Sequence, residues 1–221
     1  MPSISLIRDD DVATVLLETP ILARRVLSEL INTLDALSRE PVPPPLVLAS
    51  AHPTIFLAGA HLGEISELDS QTCVDYARRG RSVASRLESY PAPVVAAVHG
   101  SCSGGGFDLV MACDSVIASP QATFSHPGVH RGLVTGWGGT TGLALVLGAS
   151  TTRRTLLEGT ALDATTLAGL GVVTVADDAP AEACAAAGRL ARLHPSRLPL
   201  WRLLRGPTFV DRFRAFVVEK S

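Results

Sequence analysis

Three consecutive glycines, Gly104 to Gly106, separate an apolar run that ends at Gly100 from an apolar helical run that begins at Phe107. The loop has no lysine of a phosphate-binding P-loop and no GxGxxG spacing, and it misses the GxSxG register by one residue. What remains is a strand–glycine loop–helix unit whose unpaired backbone N–H groups can face an anion or a developing oxyanion. The alternative is a tight turn without a ligand, although three glycines cost backbone entropy.

Side chains that could act as a general acid or base are near this loop in the sequence and near a second glycine-rich loop, residues 132–139. Asp108 lies three residues after Gly105, on the same face of the first helical turn. Neither loop contains another carboxylate, and His126 and His130 precede the second loop. An imidazole titrates near neutral pH, so either histidine could supply a base. The alternatives are a structural carboxylate at the helix start for Asp108 and a structural role for each histidine.

Apolar periodicity predicts the elements that must position these residues. Ile4–Ile7 and Val12–Leu17 indicate a hairpin, and Pro93–Val98 indicates a strand buried on both faces. Repeats of three and four residues predict helices over about 22–37 and 70–89. Further strands are predicted at 46–49, 116–118, 122–125 and 172–175, and further helices at 107–112, 143–147, 151–157, 163–170, 181–193 and 198–216. Strands that alternate with helices indicate an α/β fold with crossover connections.

The composition limits the kinds of protein that the chain can be. The 221 residues are 47% hydrophobic and 18% charged with a mean hydropathy of +0.30, which excludes a disordered chain. A net charge of −2 gives no argument for nucleic-acid binding. The chain contains no apolar run of 18 residues and no N-terminal signal pattern, so we expect no membrane segment and a cytoplasmic location. The four cysteines have no CxxC spacing and are expected to be reduced thiols, and the apolar excess favours an oligomer.

Three segments together resemble the crotonase superfamily of enoyl-CoA hydratases and isomerases. The first, IFLAGAHL at 55–62, is similar to the family's F-x-A-G-A-D-[LI] loop. The second, APVVAAVHGSCSGGGFDL at 92–109 followed by Cys113 and Asp114, resembles its glycine-rich signature. The third runs from Ala122 through Gly132 to Thr140 and resembles A-x-F-x-x-P-E-x-x-x-G-x-x-P-G-x-G-G-T. The resemblance covers about residues 4–178 in unbroken order.

The resemblance implies an architecture and an assembly. The expected fold is a crotonase-like α/β spiral of ββα units with a C-terminal helical region. Residues 1–178 would form the core, and residues 179–221 a helical trimerisation or lid region. A homotrimer or hexamer is expected.

The resemblance also implies roles for particular residues. Two backbone N–H groups that stabilise an enolate would be those of Ala60 and Gly105. Asp108 occupies the family's first catalytic-acid position, where Glu is commoner, and Gly128 stands where the second carboxylate would be. Beside these, the residues predicted to bind substrate are Ala58, His61, Leu62, Gly104, Gly128 and Trp137. No metal is expected.

The function implied is that of an acyl-thioester enzyme in fatty acid or polyketide metabolism. The preferred reaction is double-bond isomerisation by a single acid/base, with Asp108 as that group and His126 and His130 as further candidates. The acyl carrier would be coenzyme A or the phosphopantetheine arm of an acyl carrier protein, as part of the substrate and with no separate cofactor. The alternatives are a hydratase, a decarboxylase, a thioester hydrolase, and a non-catalytic member that binds an acyl thioester or pairs with an active subunit.

Overall fold

Strands and helices alternate along the computed structural model, which describes residues 2–9 and 11–193. The strands are β1 (Ile4–Asp9), β2 (Val12–Leu17), β3 (Ile21–Leu22), β4 (Leu46–Ser50), β5 (Ile55–Leu57), β6 (Gly59–Ala60), β7 (Val94–Val98), β8 (Ser101–Ser103), β9 (Ser115–Ala118), β10 (Thr123–Ser125), β11 (Leu162–Asp163) and β12 (Thr174–Val175). The helices are α1 (Arg24–Ser38), α2 (Leu62–Ser66), α3 (Thr72–Glu88), α4 (Gly105–Met111), α5 (Gly139–Arg153), α6 (Ala164–Gly169) and α7 (Ala179–Ala191). A 3₁₀ turn covers Pro127–Arg131, and a π-helical turn covers Arg154–Glu158.

Successive strands pass from one sheet to another before the chain returns through a helix. The main sheet has the order β1-β2-β4-β7-β9-β12, and the second sheet has the order β11-β10-β8-β5. Thus β4 is followed by β5, β7 by β8 and β9 by β10, each pair divided between the two sheets. Helices α3, α4 and α5 follow these pairs. This is the predicted α/β spiral of ββα units.

Strand β7 lies at the centre of the main sheet and is buried on both faces, as its unbroken apolar sequence predicts. Its alternate residues contribute to two different clusters. Val94, Ala96 and Val98 join the large core beneath α1 and α3. Val95 and Ala97 pack with the alanines of α7 on the opposite face. Helix α7 is therefore built into the sheet's own core.

The predicted C-terminal region is described in part. Helix α7 corresponds to the helix predicted at 181–193, whereas the helix predicted at 198–216 lies outside the described residues. The division into residues 1–178 and 179–221 stays a prediction. Within residues 2–9 and 11–193, no helix is long and apolar enough to cross a membrane.

The hairpin and the longer helices agree with the predictions, and the short strands were missed. The β1–β2 hairpin pairs Ile4 with Leu17 in antiparallel register. Strands β3, β5, β6, β8 and β11 have only two or three residues each, which is too short for a period-two pattern to show. They exist because a neighbouring strand completes their hydrogen bonds. Two of them, β5 and β8, lead into loops of the site described below.

Candidate active site

Three loops meet because they leave three neighbouring parallel strands at the same end. Strand β8 pairs in parallel with β5 on one side and β10 on the other. Ala58 follows β5, Gly104 follows β8 and His126 follows β10. The Gly104 N–H donates to the Ser125 carbonyl over 2.9 Å, which ties two of the loops together. Carboxyl ends of adjacent parallel strands are a common place for ligand sites.

The first two loops approach each other so closely that only glycine fits between them. Gly59 has φ +86°, and a Cβ there would lie 2.8 Å from Gly105 N and 2.8 Å from Ser103 O. The Ser103 hydroxyl donates to the Ala58 carbonyl over 3.1 Å. The loop that carries Ala60 is therefore held directly against the start of α4.

The backbone N–H of Gly105 is available to a ligand. Within the described part of the chain it donates to no backbone or side-chain acceptor. Gly105 lines a cavity of about 550 Å³, and Ala60 lines the same cavity. These are the two residues predicted as enolate-stabilising donors.

Trp137 forms a wall of this cavity, and its indole ring packs against two glycines. A Cβ on Gly80 of α3 or on Gly105 of α4 would lie 2.1 Å from an atom of its indole ring. The ring of Tyr76 stands 6.1 Å from that of Trp137, centroid to centroid. Any larger residue at 80 or 105 would push the indole out of place.

Asp108 is sealed beneath this wall, with 1% of its side chain exposed. The Thr135 hydroxyl donates to Asp108 Oδ2 in a short contact. His126 Nε2 lies 3.0 Å from Asp108 Oδ1, which is ion-pair distance, although the ring N–H is not aligned well enough for a hydrogen bond. Both atoms are buried, and each lacks any other hydrogen-bond partner among the described residues.

The cavity walls are mostly apolar, and their titratable members are few. Among the described residues that line it, those with titratable side chains are His61, Cys73, Tyr76, His126 and Arg131. No Asp or Glu belongs to that lining. Asp108 instead borders a separate void of about 20 Å³ on the other side of Trp137. Two lining residues, His126 and Thr135, contact the Asp108 carboxylate, and of these His126 has the titratable side chain.

The structure brings all but two of the predicted site residues to the cavity. Those that line it are Ala58, Ala60, His61, Leu62, Gly104, Gly105, His126, Gly128 and Trp137. Asp108 is not among the residues that line the cavity, but its carboxylate contacts Thr135 and His126, which do line it, and its part in proton transfer stays a prediction. His130 is not among the lining residues either: its imidazole packs against Gly159, where a Cβ would lie 2.5 Å from Nε2.

His61, the other histidine that lines the cavity, caps a helix. His61 Nδ1 accepts a hydrogen bond from Glu64 N over 3.1 Å and so caps α2. This use of its lone pair leaves His126 as the lining imidazole that faces a carboxylate. No cluster of three or more His, Cys, Asp or Glu side chains that could hold a metal occurs in residues 2–9 and 11–193.

Burial determines which other groups keep their protons. Burial raises the pKa of the Tyr76 phenol, and the nearby Glu64 carboxylate adds to this effect. Burial also raises the pKa of the Cys102 thiol in β8 well above its usual range, with a further contribution from Asp108. Both groups stay protonated at neutral pH, so neither competes with an imidazole as a base.

Thr135 and Tyr76 belong to the site and were not found from the sequence. Thr135 is the one hydroxyl residue in the loop 132–139, and this was the available signal. Tyr76 lies on α3, where its spacing is that of an ordinary core residue. Only the packing of α3 against Trp137 brings it to the cavity.

Two features define a crotonase-fold protein. Successive strands alternate between two sheets, and the loops at Gly59 and Gly105 are packed against each other. The description "Enoyl-CoA hydratase/isomerase" belongs to a family model that matches residues 8–195. The chain therefore belongs to the enoyl-CoA hydratase/isomerase family, within the crotonase superfamily.

Individual relatives agree with this assignment. The chain is 30% identical over 203 residues to a Bacillus subtilis protein described as "Probable enoyl-CoA hydratase", covering 90% of this chain and 78% of the relative. Its structure is similar to that of Pseudomonas aeruginosa DspI, with a TM-score of 0.89, 26% identity and coverage of 100% and 96% of the two chains. It is also similar to an enoyl-CoA hydratase from Bacillus anthracis, with a TM-score of 0.83, 25% identity and coverage of 92% and 81%.

Proposed function

We propose that the protein moves a double bond in an enoyl thioester by transferring a proton at the carbon next to the thioester carbonyl. The substrate is carried by coenzyme A or by the phosphopantetheine arm of a carrier protein. The observation that supports this reaction most directly is the single acid/base unit at the cavity, Asp108 with His126, and no carboxylate among its described lining residues.

Hydration of a 2-enoyl thioester uses two acids to hold and split a water molecule. At the place of the second acid this chain has Gly128, which lines the cavity without a side chain. Isomerisation needs only one group that removes a proton and returns it elsewhere. The geometry therefore favours isomerisation over hydration.

The enolate formed by proton removal needs stabilisation at its oxygen. The Gly105 N–H is free within the described residues and lines the cavity together with Ala60. Two backbone donors there would hold the enolate oxygen, and one such donor is typically worth about 10²–10³-fold in rate. The apolar wall formed by Leu62, Trp137 and Leu133 suits an acyl chain.

The test follows the conjugated-thioester absorbance with two substrates. A 3-enoyl-CoA should gain this absorbance on incubation with the protein, because its double bond moves into conjugation. Rapid loss of the absorbance from a 2-enoyl-CoA, with no reaction of the 3-enoyl-CoA, would instead show a hydratase. The same pair of substrates attached to an acyl carrier protein tests the carrier.

A second candidate function is acyl-thioester binding without turnover. The absence of a carboxylate from the described cavity lining is the observation that favours it. Calorimetric binding of a saturated acyl-CoA, combined with no reaction of either enoyl-CoA, would support this candidate and overturn the proposed isomerisation.

A further inference from the structure

Two buried polar atoms that lack partners face each other beside the cavity. Asp108 Oδ1 and His126 Nε2 are 3.0 Å apart, and neither makes another hydrogen bond to a described residue. Buried polar groups are nearly always paired, because an unpaired one costs free energy. A small rotation of the imidazole ring would align an N–H with Oδ1, and one proton between the two atoms would then satisfy both.

The Thr135 hydrogen bond and the general acidities of the two groups together indicate which partner carries that proton. The Thr135 oxygen accepts from Trp137 N over 3.4 Å, and its hydroxyl donates to Asp108 Oδ2. Asp108 is thus an acceptor at Oδ2, as an ionised carboxylate is. Because a carboxylic acid is in general a stronger acid than an imidazolium ion, the shared proton belongs on His126 Nε2 and Asp108 Oδ1 is the acceptor.

This arrangement leaves the second ring nitrogen of His126 free. Nε2 is closed off from solvent, whereas Nδ1 is not, and Nδ1 makes no hydrogen bond within the described residues. His126 lines the cavity with 7% of its side chain exposed. With the proton held on Nε2, Nδ1 carries an unshared electron pair toward the cavity.

The imidazole is held in this orientation by packing as well as by charge. The Phe107 ring lies 5.6 Å from that of His126, centroid to centroid, with 31° between the planes. Phe107 and Asp108 are adjacent on α4, while His126 follows β10, next to the strand that leads into α4. One helix therefore supplies both the ring contact and the carboxylate.

We propose that His126 Nδ1 is the group that exchanges protons with the substrate, and that Asp108 is a positioning residue that fixes the His126 tautomer. This assignment rests on the proposed function. In a 3-enoyl thioester the C2–H bond breaks, its proton goes to Nδ1 and the electron pair moves onto the thioester oxygen as a dienolate. The imidazolium, facing the Asp108 carboxylate, then returns the proton to C4, and the double bond lies between C2 and C3. No proton or electron is gained or lost overall.

His126→Gln separates the two possible bases, because glutamine can still donate to Asp108 but cannot take a proton. We expect turnover to fall by about 10²–10⁴-fold while binding of a saturated acyl-CoA persists. His130→Gln is the matched control and should keep wild-type turnover, since His130 packs against Gly159 outside the cavity. If His126→Gln stays as active as His130→Gln, Asp108 or another group is the base and the assignment is wrong.

Asp108→Asn tests the positioning role through a readout other than rate. Because Thr135 donates toward Oδ2, the amide oxygen of the asparagine should take that side and its NH₂ group should face His126 Nε2. Nε2 must then accept, which moves the imidazole proton to Nδ1 and blocks the base. ¹⁵N NMR should show the Nε2–H tautomer of His126 in the wild type and the Nδ1–H tautomer in Asp108→Asn. A wild-type Nδ1–H tautomer, or no change in the variant, would overturn the proposal.

A third measurement keeps this assignment separate from the isomerisation itself. Exchange of the C2 protons of butyryl-CoA with deuterated water reports proton removal without any movement of a double bond. Exchange by the wild type that His126→Gln loses supports the assignment even where no enoyl-CoA is isomerised. Exchange that His126→Gln retains, or no exchange by the wild type, contradicts it.

Discussion

Gly128 leaves the chain without a carboxylate at the position where the crotonase resemblance implies a second catalytic acid. This absence is the strongest constraint on the proposed reaction. Without a second acid the wild type should hydrate crotonyl-CoA at least about 10²-fold more slowly than it isomerises a 3-enoyl-CoA. The two rates can be compared from the loss and the gain of conjugated-thioester absorbance. Equal rates would contradict the prediction.

A matched pair of variants tests the same position directly. A Cβ at 128 would lie 3.3 Å from both Cβ and O of Leu133, so a side chain fits if Leu133 shifts slightly. Gly128→Glu should hydrate crotonyl-CoA faster than Gly128→Gln, which has the same shape without the acid. Thermal unfolding of both variants shows whether the loop has tolerated the substitution.

Buried acidic groups should limit stability at high pH. Burial raises the pKa of the Tyr90 phenol, which is 1% exposed, and of the Cys102 thiol. Both are neutral in folded and unfolded chains at pH 7. Above about pH 9 for the thiol and about pH 10 for the phenol, the unfolded chain loses protons that the folded chain keeps, so the free energy of unfolding falls. Urea unfolding at pH 8 and pH 10.5 should show a smaller fall for Tyr90→Phe than for the wild type; an equal fall would exclude Tyr90 as a cause.

At the scale of elements, the site depends on how closely the loop after β5 approaches the start of α4. Gly59→Ala would place a methyl group 2.8 Å from Gly105 N, in a backbone conformation that already disfavours alanine. Because the two loops must separate, we expect at least about 10²-fold loss of turnover, the scale of one lost oxyanion donor.

Gly132→Ala is the control for the cost of placing an alanine in a backbone conformation with positive φ. Gly132 also has a positive φ, +69°, but nothing lies within 4 Å of the Cβ it would gain. Both variants should lose stability, by about 1–2 kcal/mol for the left-handed conformation, while only Gly59→Ala loses most of its turnover. Similar turnover in the two variants would show that the close approach is not needed for catalysis.

At the scale of the whole molecule, we expect the chain to assemble with copies of itself, because its apolar content is high for a monomer. Leu145 on α5 and Leu157 in the π-helical turn are 63% and 67% exposed in the single chain, and Val134 is 78% exposed. We expect light scattering at micromolar concentration to give three or six times the 23.1 kDa of one chain. A mass of 23.1 kDa under those conditions would contradict a trimer or hexamer.

The sequence by itself determined the fold and predicted where the candidate site lies. The unbroken apolar run 94–98 predicts a strand buried on both faces, because no polar residue interrupts it, and the glycines after it predict exposed backbone donors at a helix start. The order of the three motifs identified the family. These features are local in the chain, so spacing and residue type were enough to find them.

Only the tertiary structure decided which side chain meets the cavity. The spacing placed Asp108 near Gly105 on α4, but its burial depends on Thr135 and Trp137, which are 27 and 29 residues further along the chain. The parallel pairing of β8 with β10 brings His126, which lines the cavity, into contact with that carboxylate, whereas His130, four residues later, is turned against Gly159. Burial of a side chain is a property of several packed elements, and no local pattern in the sequence contains it.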